Sequence, residues 1–580
     1  MEFTMLDLTT LQDIPIYVEQ NIANNSFMNY LKNGHWESVS SEQFVQNIYK
    51  LSSAFKMAGV RQGINVAIVS NSSPFWLMVD YALQDIGAIS VPMFANISSE
   101  NFIYQLKDAE IEFIYIASQE CYDKTKQHLS SMKLIVTHNI ETHNTNSIDF
   151  ETFIDVEPKK STNKIDKNDC ATIVYTSGST GTPKGVELSH NNIITQLKNT
   201  SLQFPLTEKD RTLSFLPLAH IFERMVMSYY LVSGISIFFT DDVKNIGNLM
   251  KDVKPTLMTV VPRVLEKIYI KMHDAAVSAS FLKKIILTLA LSEADNKNIK
   301  SSTIFTSIFN KLVYTKMLEA FGGNMHYIIC GGAPLSRQNE RFFTNIGLEI
   351  YQGYGLTETS PVICTNSPMS KKAYTCGRAY ENSEVKITSD GELLTRGDSV
   401  MLGYHKQEVK TSEAIDKDGW FHTGDLASLD EDGYISIQGR KKELFKTSNG
   451  KYIAAVHIEQ LLTQNRWCDH AVVIADNKPF ISVLLFLDIP VIEEYVKEKK
   501  IYYKNIDELH NLKIIQNLIQ EIVSQVNKHL SHEEKVRKYL IVKDEPTIEN
   551  HILTPSMKVS RSAVYEKYEK QIKSLYGEVL

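Results

Sequence analysis

A chain of 580 residues is too long for one hydrophobic core. Single cores stop growing near ~250–300 residues, so two or more domains are expected. Apolar content of 43% and charged content of 22% are ordinary for a soluble globular protein, and a net charge of −7 argues against a nucleic-acid binder, which carries a basic field. Six scattered cysteines (Cys121, Cys170, Cys330, Cys364, Cys376 and Cys468) show no zinc-knuckle spacing. They predict neither a disulfide framework nor a metal cluster, and fit a reducing, cytoplasmic compartment. The first ten residues carry Glu2 and Asp7 but no Lys or Arg, so no signal peptide is expected.

In chain order, an apolar run at 66–70 leads through Ser-Pro to a helical pattern (Phe75, Met78, Ala82, Leu83) and a second apolar run at 88–91. This strand–helix–strand unit predicts a parallel sheet flanked by helices. Similar strands are expected around 113–116, 134–136 and 172–175. Residues 264–320 carry apolar positions at helical spacing (Ile268, Met272, Ile285, Leu289, Phe309, Val313, Leu318) and few turn signals, which predicts an inserted helical segment. The most apolar stretches, 225–240 and 285–291, fall short of the ~20 residues that cross a bilayer, and read as buried core rather than spans. After about residue 390 short strands are punctuated by Asp-Gly at 418–419 and 432–433, the mark of tight turns and a small β subdomain. A mixed α/β tail follows, with strands near 471–474 and 481–486. The expected fold is α/β: a large N-terminal domain (1–440) of parallel and mixed sheets with flanking helices and the β subdomain, then a small mobile α/β C-terminal domain (441–580).

The densest chemical signal is YTSGSTGTPKG at 175–185, directly after an apolar strand. Thr176, Ser177, Gly178, Ser179, Thr180 and Gly181 offer backbone N–H groups and hydroxyls that suit a polyphosphate, and Lys184 adds a point charge. It is not a Walker A loop: counting from Gly178 the sixth position is Pro183, and no Ser or Thr follows Lys184.

This string closely resembles the signature of the adenylate-forming superfamily of acyl-CoA synthetases, luciferases and peptide-synthetase adenylation domains. YQGYGLTET at 351–359 resembles its adenine and metal motif, WFHTGDL at 420–426 its ribose motif, GRKKE at 439–443 its hinge and PSMKVSR at 555–561 its C-terminal lysine motif. LPLAHIFER at 216–224, VPRVLEK at 261–267 and CGGAPLS at 330–336 are similar to the long-chain branch.

The resemblance implies an AMP-forming long-chain fatty acid–CoA ligase that uses ATP, Mg²⁺ and CoA. A carboxylate attacking the α-phosphate of ATP brings two anions together, so positive charge must be supplied. The resemblance gives that task to Lys558. Glu358 would hold Mg²⁺, bound through one or two carboxylates plus phosphate oxygens. Thr357 would touch the α-phosphate and His220 would lie near the substrate carboxylate. Asp425 would bind the ribose hydroxyls, with Arg440 beside it. Gly332, Ala333 and Pro334 would lie along the adenine, and Tyr354 would cover the base, with Gly355 next to it. Lys442 would be the pivot that carries Lys558 in and out, and Gly450 would let the backbone pass close to the incoming pantetheine. Read singly, each of these has a structural explanation: Asp425 as a turn residue, Glu358 as a helix start, His220 as a core histidine, Lys558 as a solvated surface lysine.

The implied partners are a fatty acid, ATP and CoA, with peripheral membrane contact open because a fatty substrate lives there, and no nucleic acid. Two alternatives share the string. In one, an acyl carrier protein thiol replaces CoA; Lys441, Lys442, Lys446 and Lys451 suit either acceptor. In the other, the chain is an inactive relative that binds fatty acids, against which stand Lys558, Glu358, Asp425 and Arg440.

Overall fold

The computed structural model describes residues 4–142, 144–176, 183–299, 301, 304–446, 452–554 and 557–577. The predicted strand–helix–strand unit forms as Asn65–Val69, Pro74–Ile86 and Ile89–Met93, with the two strands paired in parallel. Ser73 caps the helix by accepting from Trp76 N, Pro74 takes the first turn, and Gly87 ends it at φ +79°.

Among the described residues two large sheets dominate, one of eight strands and one of nine. The eight-stranded sheet runs from Gly403–Tyr404 through Lys184–Ser189, Cys170–Thr176 and Ile89–Met93 to Ser147–Asp149. The nine-stranded sheet places Glu349–Gly355, Tyr327–Cys330 and Leu257–Val260 in parallel register, and reaches back to pair Met28–Lys32 with Ser236–Phe239. Asn29 Nδ2 donates to Ile237 O across 208 positions of chain at that junction.

Helix Pro74–Ile86 is buried along nearly its whole length, and Ile221–Val232 along all of it. They are cross-linked by a buried ion pair: Arg224 Nε and Nη2 donate to Asp80 at 2.8 and 2.7 Å. A charge left alone there would cost about 3–5 kcal/mol, so the pair holds the two helices together as a unit. A smaller four-stranded antiparallel sheet follows the large ones and contains Phe421–Leu429 and Ile435–Arg440. Gly419 and Gly433 stand at φ +80° and +82° in the Asp-Gly turns.

The main apolar cluster is built from residues 8–421. Two further clusters, around Ile458, Val483 and Ile519 and around Ile474, Phe486 and Val564, draw only on residues from 445 onward. The inserted helical segment forms as Pro262–Val277, Phe281–Asn296 and Ile304–Phe309, continuing to Glu319. Residues 225–240 are largely buried, as expected. Residues 285–291 are not: Ile285, Ile286 and Leu289 are exposed on helix Phe281–Asn296, while only Ala290 and Leu291 of that stretch are buried. No helix among the described residues is long and apolar enough to cross a membrane.

Candidate active site

The parallel strands of the nine-stranded sheet end at a crevice, the usual place for a ligand in an open α/β sheet. Strand Glu349–Gly355 passes there into a tight reversal before Val362–Thr365 returns antiparallel beside it. Glycine is required at 355, because a Cβ would run into the carbonyl of Pro361. Leu356 N donates to Pro361 O at 3.0 Å, and Thr359 Oγ1 donates to the same Pro361 O at 2.6 Å, closing the loop. Gln196, from helix His190–Gln203, donates to Thr359 O and Val362 O, at 3.1 and 2.7 Å. Thr357 and Glu358 stand at the head of this braced turn, half-buried.

Tyr404 OH donates to Glu358 Oε1 at 2.8 Å, and Lys184 Nζ lies over the Tyr404 ring, 4.6 Å from its centre. Lys184 pairs with Thr176 across the hairpin Cys170–Thr176/Lys184–Ser189. That hairpin and Glu358 therefore meet through one tyrosine. Ser177, Gly178, Ser179, Thr180 and Gly181 lie outside the described residues, as does Gly450. Sequence reasoning missed Tyr404 and Gln196. Neither sits in a recognisable string, and both act through pairings that only the fold creates.

Asp425 and Arg440 are cross-strand partners in the antiparallel pair Phe421–Leu429/Ile435–Arg440, with Arg440 Nε 3.3 Å from Asp425 Oδ1. Tyr354 OH donates to Asp425 Oδ2 at 2.6 Å. Burial raises the Asp425 pKa, while the Arg440 charge and the Tyr354 hydrogen bond pull it back down. Burial, and then the adjacent Asp425 charge, hold the Tyr354 hydroxyl protonated well above its usual range.

Gly332, at φ +80°, Ala333 and Pro334 form an open strip after strand Tyr327–Cys330. The Phe222 ring presses on Gly331, where a Cβ would come within 3.0 Å of it. This brings the first turn of helix Ile221–Val232 to the strip. His220 caps that helix, its Nδ1 accepting from Phe222 N at 3.3 Å, which leaves the proton on Nε2. Burial, with a smaller contribution from the Lys558 charge, lowers the His220 pKa to about 4, so the ring is neutral at pH 7.

Lys558 enters the same crevice. Its Nζ donates to Gly332 O at 2.8 Å. The residue is exposed overall, but protein crowds its ammonium end. Burial, followed by the Arg440 charge, lowers its pKa, and Glu443 and Asp425 act the other way. Gln460 Nε2 donates to Pro334 O at 2.9 Å from the same part of the chain. The structure thus brings Gly332, His220, Lys558, Asp425, Arg440 and Tyr354 to one crevice.

Lys442 sits in the short 3-10 turn Lys441–Glu443 just after Arg440. Lys441 Nζ is paired with Asp390 at 2.6 Å and Glu392 at 3.1 Å. The described residues hold no group of three or more His, Cys, Asp or Glu able to cage a metal. One carboxylate, Glu358, beside the hairpin Cys170–Thr176/Lys184–Ser189 would suit Mg²⁺, which keeps several waters and phosphate oxygens as ligands.

Comparison with known proteins identifies the family. Residues 18–405 match the family described as AMP-binding enzyme, and residues 443–579 the AMP-binding enzyme C-terminal domain. The long-chain-fatty-acid–CoA ligase FadD15 of Mycobacterium bovis is 33% identical over 94% of this chain and 94% of its own length. Among solved structures, the adenylation domain of a carboxylate reductase from Mycobacterium chelonae superposes with a TM-score of 0.80 at 18% identity, covering 98% of this chain and 91% of that one. The anthranilate CoA ligase AuaEII in complex with anthranoyl-AMP does so with a TM-score of 0.75 at 18% identity, covering 98% of this chain and all of that one. With the family match running along most of its length, the chain belongs to the AMP-binding enzyme family.

Proposed function

We propose that this enzyme activates a long-chain fatty acid with ATP and passes the acyl group to the thiol of CoA. A carboxylate oxygen attacks the α-phosphorus, the bond to the β-phosphate oxygen breaks, and pyrophosphate leaves. The thiol sulfur then attacks the acyl carbon and AMP leaves. The observation that carries this reading is the Lys558 ammonium at 2.8 Å from Gly332 O, inside the crevice that holds Asp425, Arg440 and His220. A cation there offsets the repulsion between carboxylate and phosphate, and a positioned donor of this kind is worth about 10²–10³ in rate.

Asp425 and Arg440 bind the ribose, and Tyr354 packs on the base while its hydroxyl keeps Asp425 in place. The Gly332–Pro334 strip takes the adenine edge. His220, neutral and bearing its proton on Nε2, donates to the substrate carboxylate without adding charge. The hydroxyls and amides of residues 176–181, with Lys184, take the β- and γ-phosphates. Thr357 takes the α-phosphate. Glu358, oriented by Tyr404, would hold Mg²⁺, which supplies charge neutralisation to the phosphates when bound. The acyl chain runs beside helix Ile221–Val232, whose apolar side chains meet the strip through Phe222.

The chain divides near 440–441, with Lys442 as the pivot. Support comes from apolar clusters that keep to one side of that point and from polar contacts across it, Arg263 to Asp469 at 2.5 Å and Lys124 to Glu549 at 3.0 Å. Turning about the pivot withdraws Lys558 and brings Gly450 to the pantetheine arm, a lid-type step that completes a second site.

An ATP–pyrophosphate exchange assay over fatty acids of increasing length, followed by addition of CoA or holo-acyl carrier protein, tests the reading. Exchange that requires the acid and grows with chain length is expected, with acyl-CoA formed on adding CoA. Exchange without any acid would remove the ligase reading, and thioester formed only on carrier protein would replace the acceptor.

A further inference from the structure

Helix Phe281–Asn296 is apolar on two opposite faces. One face, Ala290, Leu291 and Ala294, is buried against the protein, with Asn345 Nδ2 donating to Ala294 O at 2.9 Å. The other face is bare: Phe281 is 77% exposed, Leu282 74% and Leu289 56%. At 3.6 residues per turn, Phe281, Leu282, Ile286 and Leu289 fall within an arc of about 140° centred opposite the buried face. Phe305 and Leu312, from the neighbouring helical stretch, are exposed as well. That stretch is fastened to Phe281–Asn296 by Tyr314 OH donating to Ala290 O at 2.7 Å and Thr306 Oγ1 to Glu293 at 2.5 Å. Exposed apolar area of this kind marks an interaction face.

The exposed charges nearest to it are lysines, with Glu319 the exposed acidic residue at the far end of the stretch. No Asp or Glu occurs between 275 and 292 or between 296 and 318, in a chain whose net charge is −7. Lys283, Lys284, Lys311 and Lys316 are exposed on these helices. The two acidic residues of helix Phe281–Asn296 point inward: Glu293 accepts from Tyr314 and Asp295 from Tyr269, at 2.6 and 3.0 Å. The preceding helix, Pro262–Val277, starts at the site itself, where Val261 lies 3.7 Å from the Cβ position of Gly332.

We propose that this face docks on the surface of a bilayer containing anionic lipid, with the bare apolar side chains seated among the acyl chains and the lysines on the headgroups. The proposal builds on the fatty-acid ligase reading, since a bilayer is where such a substrate collects. It places the entry of the acid on the side of the molecule that carries the inserted helices.

The test is cosedimentation of the full chain with vesicles of phosphatidylcholine, with and without phosphatidylglycerol, at low and high salt. Binding to the anionic vesicles is expected, lost on F281E/L289E and weakened about fivefold per charge removed in K283Q/K284Q. In both variants ATP–pyrophosphate exchange with a water-soluble acid is expected to remain at the parent level, which also shows that they are folded. Equal vesicle binding by parent and variants would overturn the proposal. So would a parent dimer that F281E/L289E splits while vesicle binding persists, which would make the face a contact with a second copy. Absence of acid-dependent exchange in the parent at every chain length would remove the ligase reading and leave the vesicle result to stand or fall separately.

Discussion

The turn at 356–361 and the segment that carries Lys558 face one another across the same crevice, and they are held in opposite ways. The turn is braced from behind by Gln196, from within by Thr359, and from the side by Met401 N donating to Glu358 O at 2.8 Å. The Lys558 segment is braced within its own part of the chain. Thr554 N donates to Lys558 O at 2.8 Å, Lys558 N to Thr554 Oγ1 at 3.1 Å, and Arg561 makes a bidentate pair with Glu459 at 2.7 and 2.9 Å. The Lys558 side chain itself reaches the far side of the crevice through its ammonium–carbonyl contact at Gly332. A hydrogen bond with one charged partner is worth about 1.5–3 kcal/mol. Bound nucleotide can readily outbid a contact of that size, so the lysine is positioned accurately yet held lightly.

Three experiments would break or sharpen this contrast. The largest effect is expected from K558A, with adenylation falling by about 10²–10³ or more. Thioester formation from supplied acyl-AMP should stay near the parent rate. Equal loss of both half-reactions, measured by pyrophosphate exchange and by acyl-AMP consumption, would mean that the lysine never leaves the crevice. D425A, on the braced side, should be less severe but should harm both half-reactions, because AMP is held in each. Its removal strands the buried Tyr354 hydroxyl, a penalty of about 1–3 kcal/mol, so KM for ATP should rise about tenfold to a hundredfold. A D425A enzyme impaired in adenylation alone would contradict the division of labour.

The smallest effect is a titration. The Lys558 charge disfavours imidazolium at His220, so in K558A the His220 pKa should rise from about 4. It should stay below the ordinary 6.5, because burial is the larger cause. A histidine titration followed by NMR reads this directly, and an unmoved value would place Lys558 away from His220 in solution.

Much of the fold could be read from residue patterns. The 65–93 unit, the helical insertion and the Asp-Gly turns are local, and local periodicity reports them. The functional strings could also be read, since each places its residues within ten positions of one another. What escaped notice depends on contacts between distant residues. Tyr404 reaches Glu358 across 46 positions, and Gln196 reaches Thr359 across 163. The pairing of Lys441 with Asp390 and Glu392 likewise spans some fifty positions, which the sequence pattern does not show. Residues 285–291 were expected in the core because apolar content on every side of a helix is the same signal whether protein or lipid covers it.

The parallel pairing of Met28–Lys32 with Ser236–Phe239 has a consequence for synthesis. A nascent chain leaves the ribosome at about 5–20 residues per second, so the partner strand follows by something on the order of ten to forty seconds. Until then the early strand has only its hairpin neighbour His35–Val39, and an isolated two-stranded ribbon is marginal in water. The nine-stranded sheet therefore closes late, and a ribosome that stalls in the first two hundred codons leaves behind an unpaired edge for chaperones to guard.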